Sequence, residues 1–338
     1  MTRRERVAQA VAHERPDRVP WHIALTIPAA QRLSTTVGIP ASELPEWMQS
    51  HLYYVEPLTD DAWQEVRPGH WRDEYGVVWN RTVDPDIGVI EEFQLQDRSL
   101  GDLRLPDPRD SRRWEDFERR LERRSDRYTV CAIGFSLFER AWTLRGMTNL
   151  LMDMVEAPAF VDHLMDVICE HNLKLVERAV TYDIDAVYFG DDWGQQRGLI
   201  MGPKHWRRFV LPRIQRMYGA VKAAGKRVFI HSCGDVREVF GDLIEAGLDV
   251  FNPFQPEVMD VYEVKRLHGD RLAFLGGMSI QRVMPFGTAD EVRQEARTLM
   301  ERIGAGGGYI LSPSHDIPKD VPVENIIALV ETVRDQQP

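Results

Sequence analysis

The chain has 338 residues, 43% hydrophobic and 28% charged, with a formal net charge of −11. That length can bury one large α/β core or two ordinary ones. The acidic balance argues against a general nucleic-acid or anionic-membrane surface, since both favour basic proteins.

The opening Met-Thr-Arg-Arg-Glu-Arg leads into a charged helix over 2–13 and not into an apolar signal core. Thr2 is its N-cap, with Val7, Ala8, Ala10 and Val11 on the inner side. Pro16 and Pro20 break regular structure, so 14–20 is a loop, and 21–25 reads as a short strand. Residues 28–36 and 41–52 have helical spacing. Residues 76–83 and 88–95 alternate as strands around the turn Asp84-Pro-Asp-Ile-Gly88, which predicts a β-hairpin. A polar, Pro-rich connection over 96–110 is followed by a strongly charged surface helix over 111–126.

From residue 128 the pattern becomes regular. Short apolar strands at 128–133, 186–189, 228–230, 250–251, 272–275 and 309–311 alternate with helices. The helices cover 136–144, 146–155, 158–181, 203–224, 236–246, 260–268, 279–283, 288–303 and 322–334. Asp235 is the expected N-cap of 236–246, and Pro322 lies in the first turn of the last helix. Gly304-Ala-Gly-Gly-Gly308 precedes a strand and opens no helix, so it reads as a C-cap and turn and not as a phosphate cradle. Alternating strands and helices imply an α/β fold with a parallel sheet and right-handed crossovers. Seven or so strands at this length suggest a (β/α)8 TIM barrel. A doubly wound sheet is the alternative, but no Gly-x-Gly-x-x-Gly follows an early strand.

Catalytic groups of a barrel come from the C-terminal ends of its strands. Those ends here carry Phe135, Glu139 and Trp142; Asp191, Asp192, Trp193 and Gln195; His231 and Cys233; Asn252 and Gln255; and His315. In an extended segment, residues i and i+2 face the same way, so the His231 imidazole and the Cys233 thiol can reach one point. Both are good zinc ligands. The plainer alternative is a buried cysteine beside a hydrogen-bonded histidine. On a shared mouth His315 would complete a three-ligand metal site, with Asp192, Asp191, water or substrate in the fourth position. Asp191, Asp192 and Glu139 are the candidate acid/base groups. Phe135, Trp142, Trp193, Gln195, Asn252 and Gln255 are candidate substrate contacts, although aromatic residues at strand ends are more often core packing.

Three cysteines, Cys131, Cys169 and Cys233, form no disulfide framework, and no run of 18 apolar residues exists to span a membrane. A reducing, cytoplasmic setting is expected.

The strings Phe-Ser-Leu-Phe-Glu-Arg-Ala-Trp (135–142), Gly-Asp-Asp-Trp-Gly (190–194), His-Ser-Cys-Gly (231–234), Gly-Gly-Gly-Tyr-Ile (306–310) and Ser-His-Asp-Ile (314–317) resemble the uroporphyrinogen decarboxylase-like superfamily. Arg-Arg-Glu-Arg-Val (3–7) and Pro-Asp-Arg-Val-Pro (16–20) fit it as well. The resemblance covers essentially the whole chain. It implies a single barrel domain over 1–338, with an N-terminal elaboration of helices and a hairpin within 1–127.

That superfamily holds cofactor-free decarboxylases of a tetrapyrrole and zinc-dependent, cobalamin-linked methyltransferases. The methyltransferase branch carries His-x-Cys and a later Cys. His231 and Cys233 match, and His315 stands where the later Cys is expected. Arg15 and Arg18 match the decarboxylases' substrate-carboxylate signature only loosely. The resemblance therefore implies a methyltransferase using Zn2+ and acting on a small-molecule substrate. No Asp-x-His-x-x-Gly cobalamin signature is present, so any corrinoid is expected on a separate partner protein. A homodimer is compatible with this reading. A metal-free lyase acting on a carboxylated substrate and a non-catalytic ligand-binding barrel are the alternatives.

Overall fold

The computed structural model describes residues 1–336. In chain order the strands are β1 Leu52–Val55, β2 Trp63–Arg67, β3 His70–Asp73, β4 Val78–Asn80, β5 Val89–Glu92, β6 Tyr128–Ile133, β7 Ala186–Gly190, β8 Gly194–Gln195, β9 Gly198–Leu199, β10 Arg227–His231, β11 Val250–Phe254, β12 Ala273–Met278 and β13 Tyr309–Pro313. Seven of them form one sheet in the order β1-β6-β7-β10-β11-β12-β13, each pair parallel. Helices connect most successive strands, so the sheet curls into a half-barrel, as expected of an α/β chain.

Residues 21–25, expected as a strand, form only isolated parallel bridges, Trp21 to Leu311 and Leu25 to Ile317. The Trp21 carbonyl also accepts the His51 N–H at 2.9 Å, so this segment lies between β13 and the start of β1.

Strand alternation explains what fills the interior. Leu52, Tyr128, Val130, Ala186, Phe229, Val250, Ala273, Leu275 and Ile310 point inward as one apolar cluster with Val7 and Val11. The last two belong to the helix Arg3–Val11, which has the Thr2 cap expected of it, completed as a capping box by Glu5. That helix seals the N-terminal end of the strands. The Arg4 N–H donates to Asp126 O just before β6, and the Gly308 N–H donates to Ala10 O just before β13. The outward strand faces pack against the surrounding helices in the larger core.

Several expectations need correction. The helix over 41–52 is instead a 3-10 turn Ala41–Glu43, a short helix Leu44–Trp47 and then β1. Gln49, with φ of +53°, ends the helix. The hairpin β4–β5 is present, but β2 and β3 extend it to a four-stranded antiparallel sheet. Residues 203–224 contain a π turn, Trp206–Val210, between the helices Gly202–His205 and Leu211–Ala223. Pro212 has no N–H to continue the ladder there.

Asp235 caps no helix. It pairs with Arg237, and a 3-10 turn Arg237–Val239 precedes the helix Phe240–Glu245. The helix expected over 279–283 is displaced to Val283–Phe286, because the Ser279 hydroxyl takes the Arg282 N–H and holds 279–282 as a turn. The 304–308 stretch is a turn, with Gly307 and Gly308 at positive φ. Among the described residues, no helix is long and apolar enough to cross a membrane, and all three cysteines are free.

Candidate metal centre

His231 ends β10, opposite Gly190 of β7 and Asn252 of β11. Two residues later the chain presents Cys233, and His315 follows β13 on the same mouth. One ligand atom from each of the three side chains lies within 4.8 Å of the others. Cys233 Sγ is 3.3 Å from His231 Nε2.

The tautomer of His231 follows from its neighbour. Asn252 Nδ2 donates to Leu275 O at 3.0 Å, which turns Asn252 Oδ1 toward His231 Nδ1 at 2.6 Å. An amide oxygen only accepts, so the proton sits on Nδ1 and the Nε2 lone pair faces Cys233. His315 is set differently. Its Nδ1 accepts the Asp316 N–H at 2.9 Å, so the neutral ring carries its proton on Nε2. Partial desolvation and the neighbouring His231 push the His315 pKa down, although the residue stays exposed at the mouth.

Carboxylates ring this set. Asp192 Oδ1 accepts the Cys233 N–H at 2.7 Å and lies 3.7 Å from His231 Nε2. Burial, and then Asp192 and Asp191, raise the Glu139 pKa well above the usual carboxylate range. Burial, with Asp192 and Glu139 behind it, also pushes the Cys233 thiol up. Two imidazoles and a thiol amid acidic groups suit a transition-metal cation, whose charge would offset the cost of the thiolate.

Two glycines make this geometry accessible. A Cβ on Gly194 would lie 2.5 Å from the Cys233 carbonyl, and one on Gly234, at φ of +83°, would collide with the Gly194 backbone. Their bareness lets the 191–195 loop touch the 231–235 loop and bring Asp192 to Cys233.

The remaining expected residues fall elsewhere. Asp191 is fully buried and accepts from the N–H groups of Leu137, Phe138 and Glu139 (3.1, 3.1 and 2.8 Å) and from the Trp193 indole. It braces the start of the helix Phe138–Arg145, and burial raises its pKa to about 6. Trp193 is buried edge-on against Trp206 and does not face the cavity. Phe135 packs between Trp79 and Trp142, under the antiparallel sheet. Gln255 is buried with Oε1 on the Gly234 N–H at 3.2 Å, so it supports the turn behind Cys233. Gln195 is exposed and uses its carbonyl for Asp235.

Asn252 lines the cavity, as do His231 and His315. That cavity, of about 780 Å³, opens above the strand ends, and its wall includes His22, Tyr54, Glu56, Tyr188 and Asp316. None of these five was singled out from sequence. The usable signal was alternation: Tyr54 and Tyr188 are the inward residues just above the Leu52 and Ala186 layer.

The family model described as Uroporphyrinogen decarboxylase (URO-D) matches residues 115–336. The methylcobamide:CoM methyltransferase MtaA of Methanosarcina barkeri is 24% identical over 197 residues, 55% of this chain and 55% of that protein. A uroporphyrinogen decarboxylase of Thioalkalivibrio sulfidiphilus is 27% identical over 252 residues, 70% of this chain and 67% of that protein. The chain thus spans about half the length of the first relative and two thirds of the second. A solved methyltransferase from Methanosarcina mazei superposes with a TM-score of 0.76 over 99% of both chains at 16% identity, which shows a shared fold.

Proposed function

Because this chain belongs to the uroporphyrinogen decarboxylase family, we propose that it is a zinc-dependent methyltransferase, moving a methyl group between a small substrate and either a corrinoid on a separate protein or a thiol acceptor. The observation that carries this reading is the convergence of His231, Cys233 and His315 within 4.8 Å of one another, the two histidines lining the cavity. In this reading 1–338 is one domain, and residues 21–25 take the eighth position of the barrel.

Zinc bound by these three residues would lower the pKa of a bound thiol or hydroxyl and hold it as a nucleophile. The chain's own groups prepare the place. Asn252 keeps the proton of His231 on Nδ1. Asp192 fixes the Cys233 backbone. Glu139, whose pKa burial raises well above the usual carboxylate range, would serve as the proton donor to a leaving group. His315 must release the Asp316 N–H or shift its proton off Nε2 before it can ligate.

The cavity's charge disfavours the decarboxylase alternative. Among the described residues Arg120 is its only lining Arg or Lys, and that guanidinium is already committed to Asp60 and to the carbonyls of Glu56 and Leu58. A tetrapyrrole with many carboxylates would find no free cation there.

The test is metal content of protein purified without a chelator or a His-tag, wild type beside Cys233→Ala. About one zinc per chain, lost in the variant, is expected, followed by methyl transfer between free methylcobalamin and simple thiols. Folded wild-type protein that carries no zinc and takes up none when it is supplied would end the zinc mechanism.

A further inference from the structure

The cavity has a chemical character of its own, apart from the metal ligands. Tyr54 and Tyr188 stand edge to face, with ring centroids 5.4 Å apart and planes at 78°, and Tyr188 also has the His231 ring 6.1 Å away. His22 backs Tyr54 at 5.2 Å and keeps a buried Nδ1 without a protein partner among the described residues. The charge around this corner is one-sided. Three acids line the cavity, Glu56, Asp60 and Asp316, against one cation, Arg120. Asp60 and Arg120 pair with each other at 2.6 Å. Glu56 and Asp316 then face the cavity with no protein cation in salt-bridge range among the described residues.

Glu56 and Asp316 are exposed at the cavity's edge, and carboxylates placed there without a partner cation favour a cationic guest over an anionic one. An aromatic corner adds preference for a cation with a soft, weakly hydrated, methylated surface, which binds to π faces. A sulfonate, phosphate or polycarboxylate finds the opposite of what it needs.

We propose that this cavity takes the methylated ammonium group of a small organic cation, seated in the Tyr54–Tyr188 corner with Glu56 and Asp316 as counter-charges. The proposal deepens the methyltransferase reading, which supplies the reason for a methylated guest, but the binding preference stands on the cavity alone.

The experiment is calorimetric titration of the full chain with choline, with its neutral isostere 3,3-dimethylbutan-1-ol, and with citrate. Choline and the isostere are run on zinc-loaded and on chelator-treated protein, and citrate, itself a zinc chelator, on chelator-treated protein only. Choline is expected to bind at least about tenfold more tightly than the isostere, a preference of the size that one desolvated cation–π contact gives, and citrate is expected not to bind. Glu56→Gln should cut the preference several-fold. Tyr188→Leu should abolish it, and Tyr188→Phe, which keeps the ring face, should retain it; circular dichroism establishes that each variant is folded. Equal binding of choline and isostere, tighter binding of citrate, or loss of the preference in Tyr188→Phe as much as in Tyr188→Leu would overturn the proposal. Zinc content of the same samples separates the two readings. Choline selectivity in protein that takes up no zinc upholds this proposal and removes the metal mechanism; zinc uptake without selectivity does the reverse.

Discussion

His231 shows how much of a site depends on residues that never touch a ligand. Its imidazole offers Nε2 because Asn252 claims Nδ1, and Asn252 points that way because Leu275 O holds its amide. Replacing Asn252 with Leu should weaken zinc binding about 10- to 100-fold in a chelator competition, whereas Asn252→Asp, which keeps an acceptor, should lose little. Asp191 makes the complementary case. Its two oxygens serve three backbone N–H groups and one indole, all but the Glu139 N–H in fully buried bonds. Asp191→Ala should cost about 3 kcal/mol or more in urea unfolding, because those donors are left without partners. If stability is unchanged while activity is lost, the carboxylate acts in the chemistry and not as a brace. The closeness of His231 and Cys233 follows from the i, i+2 rule, whereas reading a metal there needed His315 on the same mouth. The separate tasks of Asp191 and Asp192 were not, because adjacent identical residues differ only in which way the turn points them.

Among the elements, β6, β7 and β10 to β13 were readable because each is a short apolar run between turns, buried along most of its length, whereas the two-residue strands β8 and β9 carry no such run. The misreadings have identifiable causes. Leu44, Met48 and Leu52 recur at i, i+4, which imitates a helix across 41–52, but Leu52 belongs to a strand stabilised by pairing with β6. β2 is exposed along nearly its whole length, so it leaves no hydrophobic period to find. The 21–25 segment makes too few ladder bonds to count as a strand and is placed by its bridges to 311 and 317. Loop contact is where the elements are least forgiving. Gly234→Ala should separate the 191–195 and 231–235 loops, and metal analysis should find zinc reduced together with a lowered melting temperature. At the other extreme, the capping box of Thr288 and Glu291 on the helix Ala289–Arg302 is local. Thr288→Ala should cost about 1 kcal/mol in denaturant unfolding and leave zinc content untouched.

At the scale of the whole molecule, burial of neutral histidine couples stability to pH. His171 is buried with Tyr75 Oη 3.1 Å from its Nε2, and desolvation lowers its pKa to about 3. An unfolded histidine takes its proton near 6.5, so between about pH 6 and pH 4 the unfolded chain holds one proton that the folded chain refuses. Stability from this group is therefore complete above that window and falls as the pH drops through it. In His171→Gln, the slope of unfolding free energy against pH across that window should flatten by about 1.4 kcal/mol per unit, as measured by urea titrations at several pH values. The helix Arg3–Val11 has a different consequence, one of timing. Its seat is built partly from the backbone at Gly308 and the inward face of β13, which leave the ribosome about 300 residues after the helix itself. During synthesis Val7 and Val11 therefore have no finished pocket. The end of the chain made earliest is among the last to be secured, and a chaperone that holds short apolar segments would find its binding site there for most of translation.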